Sequence, residues 1–502
     1  MDLRVNYLWH PVLLAIVLCA IWIPHRFVTQ DGPSHLYTAA VFRQLTAHPH
    51  SDACYQLVQP PPSNSLATWT GAFLIPWVGC ALTEKIWATL YVVVFVAGGV
   101  CLASLIDSGN SLLGVYALLL NPFLFAGFWN FNLAVGFLFL ALAWTVRCLH
   151  RPSWLRAVLW LILAASLYFT HLLVFAVFLS VFSFLLVAKA KQVTESHGRN
   201  WRWFFCLMLL LVAALAAAGI LWMNFHLLQA TRDQIGLSRI LDQSARMSLS
   251  EFNAWYRYGE QSVMPFVQIA ILAIVLWRAV RRQLAVRYEL VLISLLFFAL
   301  LMPDQIGVAM AIKARLWFLA VAFSALFLPC RWTPWIGSAC LLLLSWHVSH
   351  IVPMQRQWNH QVDQLIDSSS ILERNKVQAS LIGTYWGRSA LRPRVFPLVH
   401  ADLLVAVESA GRSMSSNQIL SGVFPVRYLG KCSEAARKIS DLLVLEIASP
   451  DAIIQTITDA AVQYVIIEKT GRLPWPEVAR KWRVIAETPE FMVVETQVNG
   501  RK

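Results

Sequence analysis

The sequence predicts a polytopic α-helical membrane protein with a C-terminal extracytoplasmic α/β domain, and three observations carry that prediction. Of the 502 residues, 58% are hydrophobic and 13% charged, whereas soluble domains run near 45–50% apolar and about 25% charged. The apolar residues fall in repeated runs long enough to cross a hydrocarbon core of about 30 Å. In lipid such runs become helices, because every backbone polar group must be satisfied internally. Beyond Met354 the charged residues return and no run of span length follows.

In chain order the apolar segments lie at 11–24, 66–82, 86–106, 111–125, 131–146, 154–169, 171–188, 204–223, 263–280, 288–302, 312–328 and 333–352. The first has no small-residue cleavage site before its loop and is expected to remain as a span. Loop charge sets the orientation. The loops at 147–156, 189–202 and 278–287 carry almost only positive charge, which places them in the cytoplasm. The loop at 224–262 balances Arg232, Arg239, Arg246 and Arg257 against Asp233, Asp242, Glu251 and Glu260, and belongs outside.

A plain count of every segment from a cytoplasmic amino terminus contradicts these loops. One segment between 66 and 146 is therefore expected not to cross fully. The choice falls on 111–125, short and broken by Asn121-Pro122 and Gly127. About eleven crossings remain, plus one re-entrant or broken segment. The stretches 25–65, 126–131, 170–171, 224–262, 303–311 and 353–502 then meet on the outer side. The chain divides into a membrane module, 1–352, and an outer domain, 353–502. In that domain 355–373 and 451–461 are expected to be helical, and 461–469 a strand. A proline-started helix near 476–481 follows, then a closing hairpin from 483–488 and 491–496 around Pro489.

The formal net charge of +13 sits mostly in short loops, which topology control alone produces. No basic face or recognition module points to nucleic acid. The nine cysteines show no metal-ligand spacing. Cys54 and Cys432 both fall in regions placed outside, where a disulfide between them is conceivable. No Walker loop, dinucleotide fingerprint or nucleophile elbow occurs, so a nucleotide-driven pump or a serine hydrolase has no support.

The chemistry-bearing residues cluster on the outer side. Directly after the first span comes Asp31-Gly32-Pro33-Ser34-His35. Gly32-Pro33 ends any helix continuing from the span, and Ser34 can cap a new amphipathic helix holding Leu36, Tyr37, Ala40, Val41 and Leu45, lying along the outer interface. Asp31 just ahead of it is either a helix cap, a general base or a metal ligand. His35, four residues on, shares its helical side and either exchanges a proton there or bonds to backbone. His171 lies between two apolar runs, where an ionisable group is costly, and is either functional or a packing histidine with its hydrogen bonds satisfied. Lys313 and Arg315 start a span after Pro303-Asp304-Gln305; they either snorkel to the interface or hold a phosphate, whose geometry a guanidinium matches. Asn130 and Asn132 either line a pocket or join helices. In the outer domain Tyr385-Trp386-Gly387-Arg388 and Pro397-Leu398-Val399-His400 are either core or an acceptor surface.

This arrangement resembles the GT-C glycosyltransferase superfamily: a first span, an acidic motif, a juxtamembrane helix, many spans and an outer soluble domain. The string Asp31-Gly32-Pro33-Ser34-His35-Leu36-Tyr37 is closest to bacterial members with a DGP-x-H form. Pro61-Pro62-Ser63-Asn64, Gly127-Phe128-Trp129-Asn130-Phe131, Thr170-His171-Leu172 and Pro303 with Gly307 and Arg315 follow in order, so the likeness covers about residues 1–330. In protein mannosyltransferases and the lipid A aminoarabinose transferase the acidic motif begins Asp-Glu. Here Gly32 replaces the second acid, so this loop lacks the acidic pair for a metal.

The resemblance implies a membrane enzyme that transfers a sugar from a polyprenyl-phosphate-linked donor to an envelope acceptor on the outer face of the bacterial inner membrane, with inversion at the anomeric carbon. Asp31 and His35 would be catalytic, with Arg315, Lys313, His171, Asn130 and Tyr37 binding substrate. No cofactor is required by the sequence, and a divalent metal stays open. The partners expected are the lipid-linked donor, membrane lipids and a glycan, lipid or protein acceptor. A transporter or flippase for a lipid-linked or anionic solute is the alternative; it would show paired broken helices and internal repeats. A non-catalytic envelope scaffold is the third, and would leave Asp31 replaceable.

Overall fold

The computed structural model describes residues 3–49, 52–106, 111–151, 153–195, 264–281, 283–284, 286–302, 311–370, 372, 376–381, 398, 400–421, 423–444, 449–469, 480–489 and 491–496. The expected span at 204–223, the loop at 224–262, the 303–305 turn, Gly307, the 385–388 string, Pro397, Val399 and the helix start at Pro476 lie outside these residues. The chain forms two compact units. One holds Met1–Cys19, Thr89–Asn121 and Asn130–Val348; the other holds Ala20–Ala88, Pro122–Trp129 and Ser349–Lys502.

The first unit is helical, and most of its helices coincide with the apolar runs. They include Trp129–His150, Trp154–Thr170, Leu172–Glu195, Met264–Val280, Val286–Leu301 and Ile312–Ala325. Local chemistry sets their ends. Ser153 caps the Trp154–Thr170 helix by accepting from the Arg156 amide at 3.4 Å, satisfying one of the orphan donors of the first turn. Close approach is bought with small residues: a Cβ on Gly98 would lie 2.6 Å from the Gly136 carbonyl oxygen, so neither chain tolerates bulk there. Three described helices are long and apolar enough to cross a membrane: Leu66–Ile106, Trp129–His150 and Cys330–Ser368. Shorter apolar ones accompany them.

The segment 111–125 is broken, as its Asn-Pro and glycines predict. It consists of a 3₁₀ turn, Gly114–Leu118, and a four-residue helix, Pro122–Phe125. A larger departure occurs at 66–82. Helices α1 (Leu3–Trp22), α2 (Gly32–Ala47) and α3 (Leu66–Ile106) follow one another, but α3 is interrupted at Gly79, whose φ of 73° and ψ of 176° are non-helical. Its halves double back. Trp87 Nε1 donates to Thr70 Oγ1 at 3.0 Å, although 17 residues of straight helix would separate them by about 25 Å. Lys85 Nζ donates to the carbonyls of Trp22 and Pro24 at 3.3 and 2.5 Å, so it returns to the carboxyl end of α1. The apolar run at 66–82 is thus one arm of a helical hairpin rather than a plain span, because glycine admits the positive φ that reverses the chain.

The second unit is built on two sheets. The strands β1 (Tyr55–Leu57) and β4 (Val426–Tyr428) pair antiparallel, Gln56 opposite Arg427. The larger sheet comprises β2 (Val377–Leu381), β3 (Arg412–Ser413), β5 (Tyr464–Glu468), β6 (Arg483–Glu487) and β7 (Phe491–Glu495), in the order β3-β2-β5-β7-β6. Its β3-β2-β5 part is parallel, and β6 and β7 close the sheet as the expected hairpin. Ser449 caps the Pro450–Asp459 helix, with proline pre-set at its first position. The conceivable disulfide is formed: Cys54 and Cys432 are bonded with their Cα atoms 5.4 Å apart. Beside it Asp52 pairs with Arg412 at 2.9 Å.

Helix α2 does not stand alone on the surface: protein covers its apolar side. Residues 32–39 are buried throughout, and Tyr37, Val41 and Leu45 join one core with Leu403, Ile439, Ile457, Val465 and Val494. The helix expected at 355–373 has no start of its own either. A single helix runs from Thr333 to Ser368 with Pro353 inside it. Its residues Gln355, Asn359 and Asp363, one turn apart on a common side, clasp the chain after α1. Gln355 bonds both backbone groups of Val28 at 2.8 and 2.9 Å; Asn359 accepts from the Arg26 amide, and Asp363 takes the Arg26 guanidinium at 2.9 Å.

Candidate active site

The clasp at 26–28 delivers the chain into the Thr29–Gly32 turn, which is fixed on two further sides. The Gln30 and Asp31 amides donate to the carbonyls of Phe125 and Ala126 at 3.1 and 3.0 Å. Gly127, at φ 71°, lies so close that a Cβ there would stand 2.6 Å from the Gly32 nitrogen and 2.9 Å from that of Asp31. The glycine of the Gly127-Phe128-Trp129-Asn130-Phe131 string is therefore required for contact with the Asp31 turn.

Asp31 stands at the N-cap position of α2, yet its side chain makes no capping hydrogen bond; the helix begins at Gly32, two residues before the predicted Ser34 cap. Thr29 does that work instead. Its Oγ1 accepts from the Gly32 amide at 3.1 Å and donates to Glu84 Oε1 at 2.9 Å. The Asp31 carboxylate, about one quarter exposed, stands 3.7 Å from His400 Nε2. Burial lowers the His400 imidazole to about 4, so at neutral pH it is uncharged beside the carboxylate.

His35 lies one turn into α2, its ring edge-on to Trp87 and Phe424 with centroids 6.3 and 5.6 Å away. Burial, with a smaller contribution from His400, lowers it to about 3. Its Nδ1 is buried with no hydrogen-bond partner among the described residues. Tyr37 is placed away from any open surface. Its hydroxyl bonds Tyr55 at 2.8 Å and accepts from the Ser413 amide at 2.7 Å, and burial pushes it up to about 12. The Tyr37 hydroxyl thus joins α2 to β3.

In the other unit the structure brings together three strings far apart in sequence. Arg315, in the first turn of the Ile312–Ala325 helix, places Nη1 3.3 Å from His171 Nε2. Its guanidinium also lies 5.5 Å from the centre of the Phe131 ring, which meets His171 edge-on at 5.4 Å. A guanidinium only donates, so a neutral His171 accepts through Nε2 and carries its proton on Nδ1. That Nδ1 is buried without a hydrogen-bond partner among the described residues. Asn130 stands next to Phe131 at the start of the Trp129–His150 helix and is buried, as is Lys313. Two cations in the first turn of a helix face the positive end of its dipole, which an anion would offset.

Among the described residues no group of three or more His, Cys, Asp or Glu has the geometry to hold a metal ion. His400 and Glu84 complete the Asp31 turn without having been predicted there. The string around His400 has no periodicity to mark it. Glu84 and Lys85 did carry a signal, a charged pair inside an apolar stretch, which is costly unless it has a partner.

No protein-family model matches the chain, and no curated protein matches it in sequence. Among solved structures it is similar to ArnT from Cupriavidus metallidurans bound to undecaprenyl phosphate, with a TM-score of 0.52 and 10% identity over 100% of both chains. Apo ArnT gives a TM-score of 0.46 at 10% identity, over 98% of this chain and 99% of that one. ArnT is a lipid A aminoarabinose transferase of GT-C fold. At this identity the likeness is one of fold, and it extends over the whole chain.

Proposed function

We propose that the chain transfers a sugar from a polyprenyl-phosphate-linked donor to a hydroxyl of an envelope acceptor at the outer face of the bacterial inner membrane. One observation carries this reading: Asp31 occupies a cap position but leaves the capping to Thr29. A carboxylate about one quarter exposed, beside the His400 imidazole and in a turn fixed by three other segments, is suited to chemistry. The whole-chain fold likeness to a transferase crystallised with undecaprenyl phosphate supports the donor class. The Cys54–Cys432 disulfide supports an outer location for its unit, since disulfides persist in oxidising compartments.

In the reaction, Asp31 accepts the proton of the acceptor hydroxyl as its oxygen bonds to the anomeric carbon. The bond from that carbon to the phosphate oxygen breaks, and polyprenyl phosphate leaves with the electron pair. Arg315 and Lys313 hold the phosphate, and the buried Nδ1–H of His171 is a further donor for it. Neutral His400 orients the Asp31 carboxylate. General-base catalysis by a positioned carboxylate is worth roughly 10²–10⁴-fold, and charge-assisted contacts to a leaving phosphate add to it.

The test is lipid-phosphate binding by purified protein in detergent. Losing a hydrogen bond to a charged group costs about 1.5–3 kcal/mol, so Arg315→Ala should weaken undecaprenyl phosphate binding roughly ten- to a hundredfold. Arg315→Lys should recover only part of it, because the planar fork is lost. Equal affinity in all three forms would remove Arg315 from the donor site.

A further inference from the structure

Glu84 is a buried acid that the mechanism above does not use. Only 3% of it is exposed, and a carboxyl group withdrawn from water inside an apolar helix must be matched by hydrogen-bond partners. Bracing α3 against α1 is already the work of its neighbour Lys85, which bonds the carbonyls of Trp22 and Pro24. Glu84 points to the turn that carries Asp31. Its Oε1 accepts the Thr29 hydroxyl, and that hydroxyl in turn accepts the Gly32 amide. With its proton committed to Glu84, the Thr29 oxygen is left as an acceptor, and it accepts from Gly32.

The same carboxylate explains the glycine. A Cβ on residue 32 would overlap Glu84 Oε1 and Thr29 Oγ1, so the volume that a side chain would need at position 32 is occupied by the acid of α3. The Asp31 amide is held by the Ala126 carbonyl. The turn is thus held by α3 at Gly32 and by the Ala126 carbonyl at Asp31.

We propose that Glu84 is a positioning residue for Asp31, acting through Thr29 and the Gly32 amide and occupying the space vacated by the missing side chain of Gly32. The proposal rests on the reading of Asp31 as the base. Glu84 itself touches no reacting atom; it sets the backbone from which the Asp31 carboxylate projects. A 1 Å misplacement of such a group costs on the order of 10²-fold in rate.

The experiment uses purified full-length protein and three readouts. Steric coupling comes first: Gly32→Ala should lower the thermal midpoint strongly in the wild-type background and much less in Glu84→Ala, a non-additivity expected only of residues in contact. Amide exchange over peptide 27–36 comes second. Glu84→Met should speed it roughly two- to tenfold, the equivalent of losing one neutral hydrogen bond, whereas Glu84→Gln keeps an acceptor oxygen and restores most of the protection. Turnover comes third, with a panel of undecaprenyl-phosphate-linked hexoses and pentoses as probes. Glu84→Met should lower kcat roughly ten- to a hundredfold at unchanged KM, with partial rescue in Glu84→Gln. Additive midpoints together with wild-type exchange in Glu84→Met would overturn the proposal, and so would an unchanged kcat. If no probe is turned over even by the wild type, the donor assignment fails, and coupling and exchange alone decide the role of Glu84.

Discussion

Thr29, not Asp31, accepts from the first amide of α2. Asp31→Asn keeps the size of the side chain and leaves the Thr29–Gly32 bond intact, but removes the base. Abundance and thermal midpoint should match the wild type, while transfer falls roughly 10²–10⁴-fold. Full transfer by the Asn variant would leave Asp31 with no catalytic part. The two histidines around it make a separate prediction about pH. Folded, His400 takes up its proton only near pH 4 and His35 near pH 3; unfolded, both do so near 6.5. The unfolded chain therefore binds more protons in that interval, and stability falls as pH drops from about 7, by about 1.4 kcal/mol per pH unit for each proton. For His400 the loss levels off near pH 4 after roughly 3 kcal/mol, and for His35 somewhat lower and larger. His35→Phe suits a ring flanked by Trp87 and Phe424, and should flatten the slope between pH 6 and 4 by one proton's share. Urea denaturation at pH 7, 6, 5 and 4 checks this; an unaltered slope would mean that His35 is not buried neutral.

Apolar runs bounded by a capping serine, a proline or a charge were legible as helices, as at 154–170 and 264–280, and the alternating strands around Pro489 were legible as a hairpin. The fate of α2 was not. Its apolar side has the same spacing whether it faces lipid or, as here, the core containing Ile457 and Val465. Nor was the pairing of β1 with β4, strands of three residues separated by most of the chain, since no local pattern encodes so distant a partner. The hairpin in α3 was hidden because Gly79 reads like any glycine in an apolar run; only its positive φ reveals the reversal. The reversal changes the expected topology. If 66–82 does not cross, 80–106 runs inward, and the broken 111–125 segment returns. This keeps 147–156 in the cytoplasm while moving the end of α3 there. Ser104, exposed near that end, distinguishes the two. In a background without other free cysteines, Ser104→Cys should be labelled by an impermeant reagent only from the cytoplasm, whereas twelve plain segments with 111–125 omitted would put it outside. Labelling from the outside would restore the plain span at 66–82.

For the whole molecule, the site residues legible in the sequence came from motifs whose order matched a known architecture, and the fold likeness extends over the entire chain. His171, Arg315 and Phe131 come from three of those strings and are in contact; His400 and Glu84 do not belong to any of them. The unit that carries Asp31 is also joined covalently, Cys54 to Cys432 across 378 residues. Cys54→Ser should cost about 2–5 kcal/mol of stability, as removal of a native disulfide typically does, seen as a lower unfolding midpoint. An unchanged midpoint would make the bond incidental. The central claim is that this chain cleaves a polyprenyl-phosphate-linked sugar with Asp31 as base. Its most direct measurement is release of undecaprenyl phosphate, followed by mass spectrometry, when purified protein meets undecaprenyl-phosphate-linked sugars and extracted envelope acceptors. Release by the wild type from at least one donor, with a loss of roughly 10²-fold or more in Asp31→Asn, is the predicted result. Equal release by both forms, or none from any donor by a wild-type protein that also fails to bind undecaprenyl phosphate, would contradict it.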